Sequence, residues 1–338
     1  MLAVWRLARL LPALLLGVCG CVSAAAAGLP SAPGLHRDAE IFADVGRLLD
    51  GAQQRVWVEM YEFGRADLAA RLIALHHRGV DVRVITDPSV DVSRVTAVKL
   101  AASGVPVRYY PIDDAVHQID HLKLLIADSA ALVGGMNWGS TSWRNHDYAL
   151  DVTPATDVGR LVAIFTQDWA LAGHGSTQRV PEPPGPLYET APGEEIRSRL
   201  LTLLESARRE ISAEVFVLSD PDVVAALGAA RLRGVRVRVL LDPNQDSNQA
   251  SCAALRLGGI EVAWFPVASG QKLHAKAGLF DNTLLLGSAN WSVSGLSTNH
   301  ELDVETRLPA QASAFRAWFD ADWALARPWW EWWLGLAC

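Results

Sequence analysis

Short apolar runs alternate along the chain with stretches in which apolar residues return every three or four positions. Val56-Trp57-Val58-Glu59-Met60-Tyr61 and Ile211-Ser212-Ala213-Glu214-Val215-Phe216 read as buried strands, each interrupted by a Glu at the matching place. Helical periodicity follows both, over ADLAARLIALHHRG at 66–79 and PDVVAALGAARLRG at 221–234, with Gly as the stop signal. The next segments, VDVRVIT and VRVRVLL, are strand-like again. This rhythm predicts an α/β architecture with a largely parallel, buried sheet in each half.

The halves are copies of one another. RGVDVRVITDP at 78–88 returns as RGVRVRVLLDP 155 residues later, and DWALA at 168–172 returns after 154. Between them VPEPPGPLYETAPGEE at 180–195 is rich in proline, so residues 176–195 are expected to form a linker. The predicted organisation is a leader over 1–27, a first lobe over 38–175, a second over 196–327 and a Trp-rich tail over 328–338.

Polar residues recur at fixed steps in the later apolar strands. HLKLLIADSAALVGGMNW at 121–138 and HAKAGLFDNTLLLGSANW at 274–291 carry the same four: His121, Lys123, Asp128 and Asn137 match His274, Lys276, Asp281 and Asn290. Alternate side chains of a strand share a face, so each His projects with its Lys. Asp128 and Asp281 stand an odd number of residues from the His and are expected to hold a turn or pair a neighbouring charge. An imidazole serves as nucleophile or general acid near neutral pH, the ammonium supplies positive charge, and the Asn amide donates to the same anionic group. Two such sets around one centre suit a phosphodiester. Asn145-His146-Asp147 and Asn299-His300-Glu301 follow the two motifs. Asp147 and Glu301 are each expected to accept a bond from an imidazole N–H and fix its tautomer.

Half of the 338 residues are apolar and a fifth are charged, which predicts a sizeable packed core. MLAVWRLARLLPALLLGVCGCVSAAAAG sets Arg6 and Arg9 before an apolar run and then small residues, the layout of an export leader. Cleavage after the Ala24–Ala27 stretch and lipidation of Cys21 in the lipobox-like Val18-Cys19-Gly20-Cys21 both fit. The formal net charge of −7 grows more negative once the two arginines leave, so no global attraction to polyphosphate backbones exists. Cys252 and Cys338, the two cysteines beyond the leader, are too far apart to define a disulfide framework.

His-x-Lys-x4-Asp followed by Gly-[Ser/Gly]-x-Asn, present twice, resembles the HKD motif of the phospholipase D superfamily, and the RGV-x-V-R-V strand ahead of each copy is similar to that family too. The resemblance runs from about residue 38 to 326. It implies two pseudo-twofold-related α/β lobes meeting face to face, each a mixed, mostly parallel sheet flanked by helices, with one active site between them. It also implies a two-step reaction through a phosphohistidine, with no catalytic metal and no cofactor. His121 and His274 would be the nucleophile and the acid/base, acting with Lys123 and Lys276. Asn137, Asn290 and Ser288 would bind the phosphate, and Asp147 and Glu301 would orient the histidines. Gly134-Gly135 stands where the second copy has Gly287-Ser288, so an asymmetric site is expected.

Several functions fit this chemistry. An exported phosphodiesterase of phospholipase D type, hydrolysing phospholipids or transferring their phosphatidyl group, is favoured by the leader, the acidic charge, and Trp329, Trp330, Trp332 and Trp333, a cluster suited to a membrane interface. A secreted endonuclease is the first alternative, with Arg231, Arg233, Arg236 and Arg238 as its basic run, although their alternation suits a solvated face or a helix end. A cardiolipin synthase-like phosphatidyltransferase is another, against which stands the lack of paired N-terminal spans. A non-catalytic module binding anionic headgroups is disfavoured by the intact His, Lys and Asn of both copies. A zinc pair of His117 and His121 has no counterpart in the second copy, where position 270 is Gly. A monomer acting at a membrane surface on phospholipid is expected.

Overall fold

The structure, a computed structural model, describes residues 32–175, 185–191 and 193–328. The expected leader with Cys19 and Cys21, the first part of the linker, the tryptophan tail and Cys338 lie outside the described residues.

The first lobe runs β1 (Leu35–Arg37), α1 (Glu40–Gly51), β2 (Arg55–Met60), α2 (Ala66–His77), β3 (Asp81–Thr86), α3 (Asp91–Ala102), β4 (Val107–Tyr109), β5 (Lys123–Ala127), β6 (Ala130–Gly134), β7 (Tyr148–Val152) and α4 (Ala155–Leu171). The second runs β8 (Leu187–Thr190), α5 (Glu195–Ser206), β9 (Glu210–Val215), α6 (Pro221–Leu232), β10 (Arg236–Leu241), α7 (Ser247–Leu257), β11 (Glu261–Trp264), β12 (Lys276–Phe280), β13 (Thr283–Gly287), β14 (Glu301–Thr306), α8 (Pro309–Leu325) and β15 (Arg327–Pro328). Helix α2 and helix α6 stop where the sequence predicts, at Gly79 and Gly234, whose φ of 89° and 91° a side chain would resist.

Two mixed sheets result, ordered β1-β7-β6-β5-β2-β3-β4 and β15-β11-β10-β9-β12-β13-β14-β8. The two-lobed mixed α/β fold matches the expectation, but the parallel part is smaller than expected. Parallel pairing is confined to β2-β3-β4 and β9-β10-β11, where helices make the crossovers. The motif strands join by antiparallel pairing, because β5-β6 and β12-β13 are tight hairpins. The proline-rich stretch also departs from a plain linker: Leu187–Thr190 pairs with β14 as the last strand of the second sheet.

Each sheet buries both faces. Val56, Val58 and Met60 of β2 point to a core with α1 and α2, while Trp57 points to a second core shared between the lobes. Ile211, Ala213 and Val215 of β9 do the same on the other side. By strand alternation Glu59 and Glu214 therefore face the seam between the sheets. Cys252 is a free, buried thiol in the outer core of the second lobe. Among the described residues no helix is long and apolar enough to cross a membrane.

Asp128 and Asp281 occupy the hairpin turns with φ of 51° and 53°. The Asp128 carboxylate accepts the backbone N–H groups of Gln53, Gln54 and Arg55 at 2.8, 2.9 and 2.9 Å. Asp281 does the same for Arg208, Arg209 and Glu210 at 3.0, 2.8 and 3.0 Å. Each aspartate thus ties its motif hairpin to the start of the neighbouring strand, the structural role its odd spacing suggests. Asp128→Ala or Asp281→Ala is expected to cost about 2–3 kcal/mol, since three bonds to a charged acceptor are lost. Thermal unfolding would show it as a lower midpoint, with turnover per folded molecule retained.

Candidate active site

His121 and His274 sit just ahead of β5 and β12, in segments held from two sides. The aspartates ending the repeated RGV strands supply one hold: Asp87 accepts the Asp120 N–H at 2.7 Å and Asp242 accepts the Leu273 N–H at 2.8 Å. The opposite lobe supplies the other. His121 N–H donates to the His300 carbonyl and His274 N–H to the His146 carbonyl, both at 2.8 Å.

The imidazoles are bound across the same seam. His121 Nδ1 lies 2.8 Å from Glu301 Oε2, and His274 Nδ1 lies 2.7 Å from Asp147 Oδ2. Asp147 follows His121 in sequence but serves His274, and Glu301 serves His121. Each half of the chain completes the other half's histidine. With Nδ1–H given to a carboxylate, each Nε2 carries a free lone pair. Burial, reinforced by Lys123 and Lys276, holds both imidazoles well below their usual pKa and therefore neutral.

Lys123 and Lys276 bond back to the carbonyls of His121 and His274, with their ammonium groups 5.1 Å from the Tyr61 ring and 4.9 Å from the Phe216 ring. Burial lowers their pKa to about 7 and about 8. It raises Asp147 and Glu301, each to about 7. Asn137 Oδ1 and Asn290 Oδ1 are buried without a hydrogen-bond partner among the described residues, so these amides hold bonding capacity in reserve.

Ser288 departs from its expected phosphate-binding role. Its hydroxyl donates to Glu301 Oε2 at 2.6 Å and accepts the Leu302 N–H at 3.0 Å, so it orients a carboxylate instead. The asymmetry with Gly135 follows from side-chain length. A Cβ on Gly135 would stand 2.3 Å from Asp147 Oδ1, so the shorter carboxylate fills the space a serine would need. One side is built from Ser288 and Glu301, the other from Gly135 and Asp147. His117 is exposed on a turn while His121 is buried against Glu301, so the two do not come together as a zinc pair.

Behind this layer lie residues to which sequence reasoning gave no role. Glu214 accepts from His146 Nε2 and from the Tyr148 hydroxyl, both at 2.8 Å. Glu59, Asp168 and His300 occupy the matching place on the other side. The signal was present: a Glu inside each apolar strand, and an Asp and a His inside repeated words. The arginine run is spent elsewhere, Arg231 and Arg233 on backbone carbonyls, Arg236 on Glu261 and Arg238 on Asp320.

The family model described as "Cardiolipin synthase, PLD-like domain" matches residues 45–169 and 200–323, one match per lobe. The chain belongs to the phospholipase D superfamily. A probable cardiolipin synthase of Bacillus subtilis is 26% identical over 315 residues, which cover 80% of this chain and 61% of that relative. A mitochondrial cardiolipin hydrolase of Xenopus tropicalis is 35% identical over 128 residues, 37% of this chain and 60% of the relative. The chain thus spans about three fifths of the length of these two relatives. Among solved structures, phosphatidylserine synthase of Haemophilus influenzae matches with a TM-score of 0.68 at 13% identity, covering 88% of each chain, a likeness of fold.

Gly135→Ser, which would restore the hydroxyl of the second copy, is expected to destabilise this superfamily member by about 1–3 kcal/mol through overpacking against Asp147. A variant as stable as the parent in thermal unfolding would contradict the size-exchange account of the asymmetry.

Proposed function

We propose that the chain is a phosphatidyltransferase-type phosphodiesterase. It would move a phosphatidyl group from a phospholipid to an alcohol through a phosphohistidine and, with the leader read as an export signal, act at the cell envelope. The observation that carries the chemistry is the crossed pair of neutral imidazoles, each Nδ1 on a buried carboxylate of the other lobe. One Nε2 attacks phosphorus as the P–O bond to the leaving alcohol breaks, while the other imidazole delivers a proton to the departing oxygen. That imidazole must carry an extra proton, which the arriving phosphate charge supports. It then takes a proton from the incoming alcohol, whose oxygen displaces the histidine from phosphorus. Lys123, Lys276, Asn137 and Asn290 would hold the non-bridging oxygens, where charge develops.

The relatives support a lipid substrate, and the synthase relative supports transfer over the hydrolysis that the sequence reading placed first. Hydrolysis remains the second reading, favoured by the likeness to a cardiolipin hydrolase. Vesicles of phosphatidylglycerol with a little ethanol, read by mass spectrometry, separate the outcomes. Cardiolipin with released glycerol is the expected product. Phosphatidic acid in its place would assign hydrolysis, and intact lipid with cleaved single-stranded DNA would overturn the lipid reading.

His121→Asn and His274→Asn are each expected to lower kcat by at least about 10⁴-fold, since members of a catalytic unit fail together. Retention of appreciable turnover by either folded variant would refute a shared site.

The pH dependence follows from the carboxylates and ammoniums. Below about pH 7 Asp147 and Glu301 take up protons and no longer support an imidazolium, so activity falls on the acid side. Above about pH 7 to 8 Lys123 and Lys276 lose theirs and phosphate binding weakens. A narrow bell in kcat/KM near neutrality is expected, and Glu301→Gln should remove part of its acid limb.

A further inference from the structure

Two buried clusters flank the active site on opposite sides of the pseudo-twofold axis. One joins Glu214 of β9, Asp322 of α8 and His146; the other joins Glu59 of β2, Asp168 of α4 and His300. Both histidines are stacked on a ring, His146 on Phe265 at 4.7 Å and His300 on Tyr110 at 4.3 Å. Their hydrogen bonding differs. His146 is held between Asp38 and Glu214, each at 2.8 Å, and the Tyr148 hydroxyl adds a donor to Glu214 at 2.8 Å. Of that trio's buried atoms, only Glu214 Oε1 and Asp322 Oδ2 lack a hydrogen-bond partner among the described residues.

In the other cluster both oxygens of Glu59, both of Asp168 and His300 Nε2 are buried without a hydrogen-bond partner among the described residues. Asp120, fully buried beside them, also has two unpartnered oxygens. Two exchanges at repeat-equivalent positions produce the difference: Leu302 stands for Tyr148, and Asp120 for Leu273. A hydroxyl donor is gone and a carboxylate is gained.

The His300 tautomer sharpens the point. Nδ1 donates to the Ala191 carbonyl at 2.7 Å, so in the neutral ring Nε2 presents a lone pair. That atom lies 3.3 Å from Asp168 Oδ2 and 3.6 Å from Glu59 Oε1. Acceptors so arranged repel unless protons or a cation lie among them, and a divalent cation would offset more of the three carboxylates' charge than a single proton on Nε2. A four-coordinate metal with bonds of about 2.0–2.1 Å to nitrogen and oxygen sets its ligands about 3.3–3.5 Å apart, close to the observed separations. An imidazole among carboxylates favours a zinc-like ion over calcium or magnesium, which prefer all-oxygen shells. The remaining His–carboxylate group among the described residues, His36, Asp44 and Asp151, differs in that Arg47 reaches it, 2.7 Å from Asp44 and 3.2 Å from Asp151.

We propose that Glu59, Asp168 and His300 bind a divalent cation of the zinc class, with Asp120 completing the negative shell, in a structural role at the lobe seam. Glu59 and Asp168 belong to the first lobe and His300 to the second, so the ion would tie the lobes together. It would also fix the carbonyl that receives the His121 N–H and the chain leading into Glu301.

The test uses untagged full-length protein made in zinc-supplemented medium and purified without chelator, its metal measured by inductively coupled plasma mass spectrometry. About one zinc per chain is expected for the parent and for Asp322→Asn, the mirror-image control, and less than about a tenth for Asp168→Asn. Zinc-edge X-ray absorption of the parent should show one imidazole with oxygen ligands and no sulfur, a readout that needs no variant to fold. A metal-free parent, equal metal in Asp168→Asn, or a shell containing sulfur or two imidazoles would overturn the proposal.

Discussion

The structure depends on an exchange across the lobe seam. Each active-site histidine takes its carboxylate and one backbone acceptor from the opposite half, so neither half contains a finished site. A carboxylate bonded to Nδ1–H decides which nitrogen is left to react, and burial on all sides makes that bond stronger than it would be in water. The β5-β6 and β12-β13 hairpins and their aspartate-bound turns hold the strands that carry these two contacts.

That exchange explains what the sequence could and could not reveal. The repeat, the alternation of strands and helices, and the pairing of His with Lys on one strand face are local properties, and they were legible. The stops at Gly79 and Gly234 and the turns at Asp128 and Asp281 are equally local. Which histidine Asp147 serves is a relation between halves, and no spacing along one chain encodes it. Ser288 shows a different limit: its hydroxyl looks available in the motif, but Glu301, thirteen residues on in the same half, claims it. A buried hairpin strand and a buried crossover strand carry the same apolar pattern, so the pattern alone overstates the parallel share of the sheets.

Glu59 and Glu214 show how a single residue in an apolar strand reports on tertiary structure. Strand alternation turns both toward the seam, where an unpaired charge would cost several kcal/mol. On one side His146 and the Tyr148 hydroxyl answer that cost by donating to Glu214; on the other, Leu302 replaces Tyr148 and supplies no donor, and Asp120, standing where the first side has Leu273, adds a further carboxylate. The seam therefore holds buried polar clusters within an otherwise apolar core.

The size exchange at Gly135 and Ser288 bears on how such a chain arose. Two identical halves that complete one another can work as a pair of separate chains related by a twofold axis, but then every substitution appears on both sides at once. A change that lengthens one carboxylate and adds a hydroxyl beside it must fit twice. Joining the halves into one polypeptide lifts that constraint. The Gly–Asp and Ser–Glu sides are what independent drift on two halves of a once symmetric interface leaves behind.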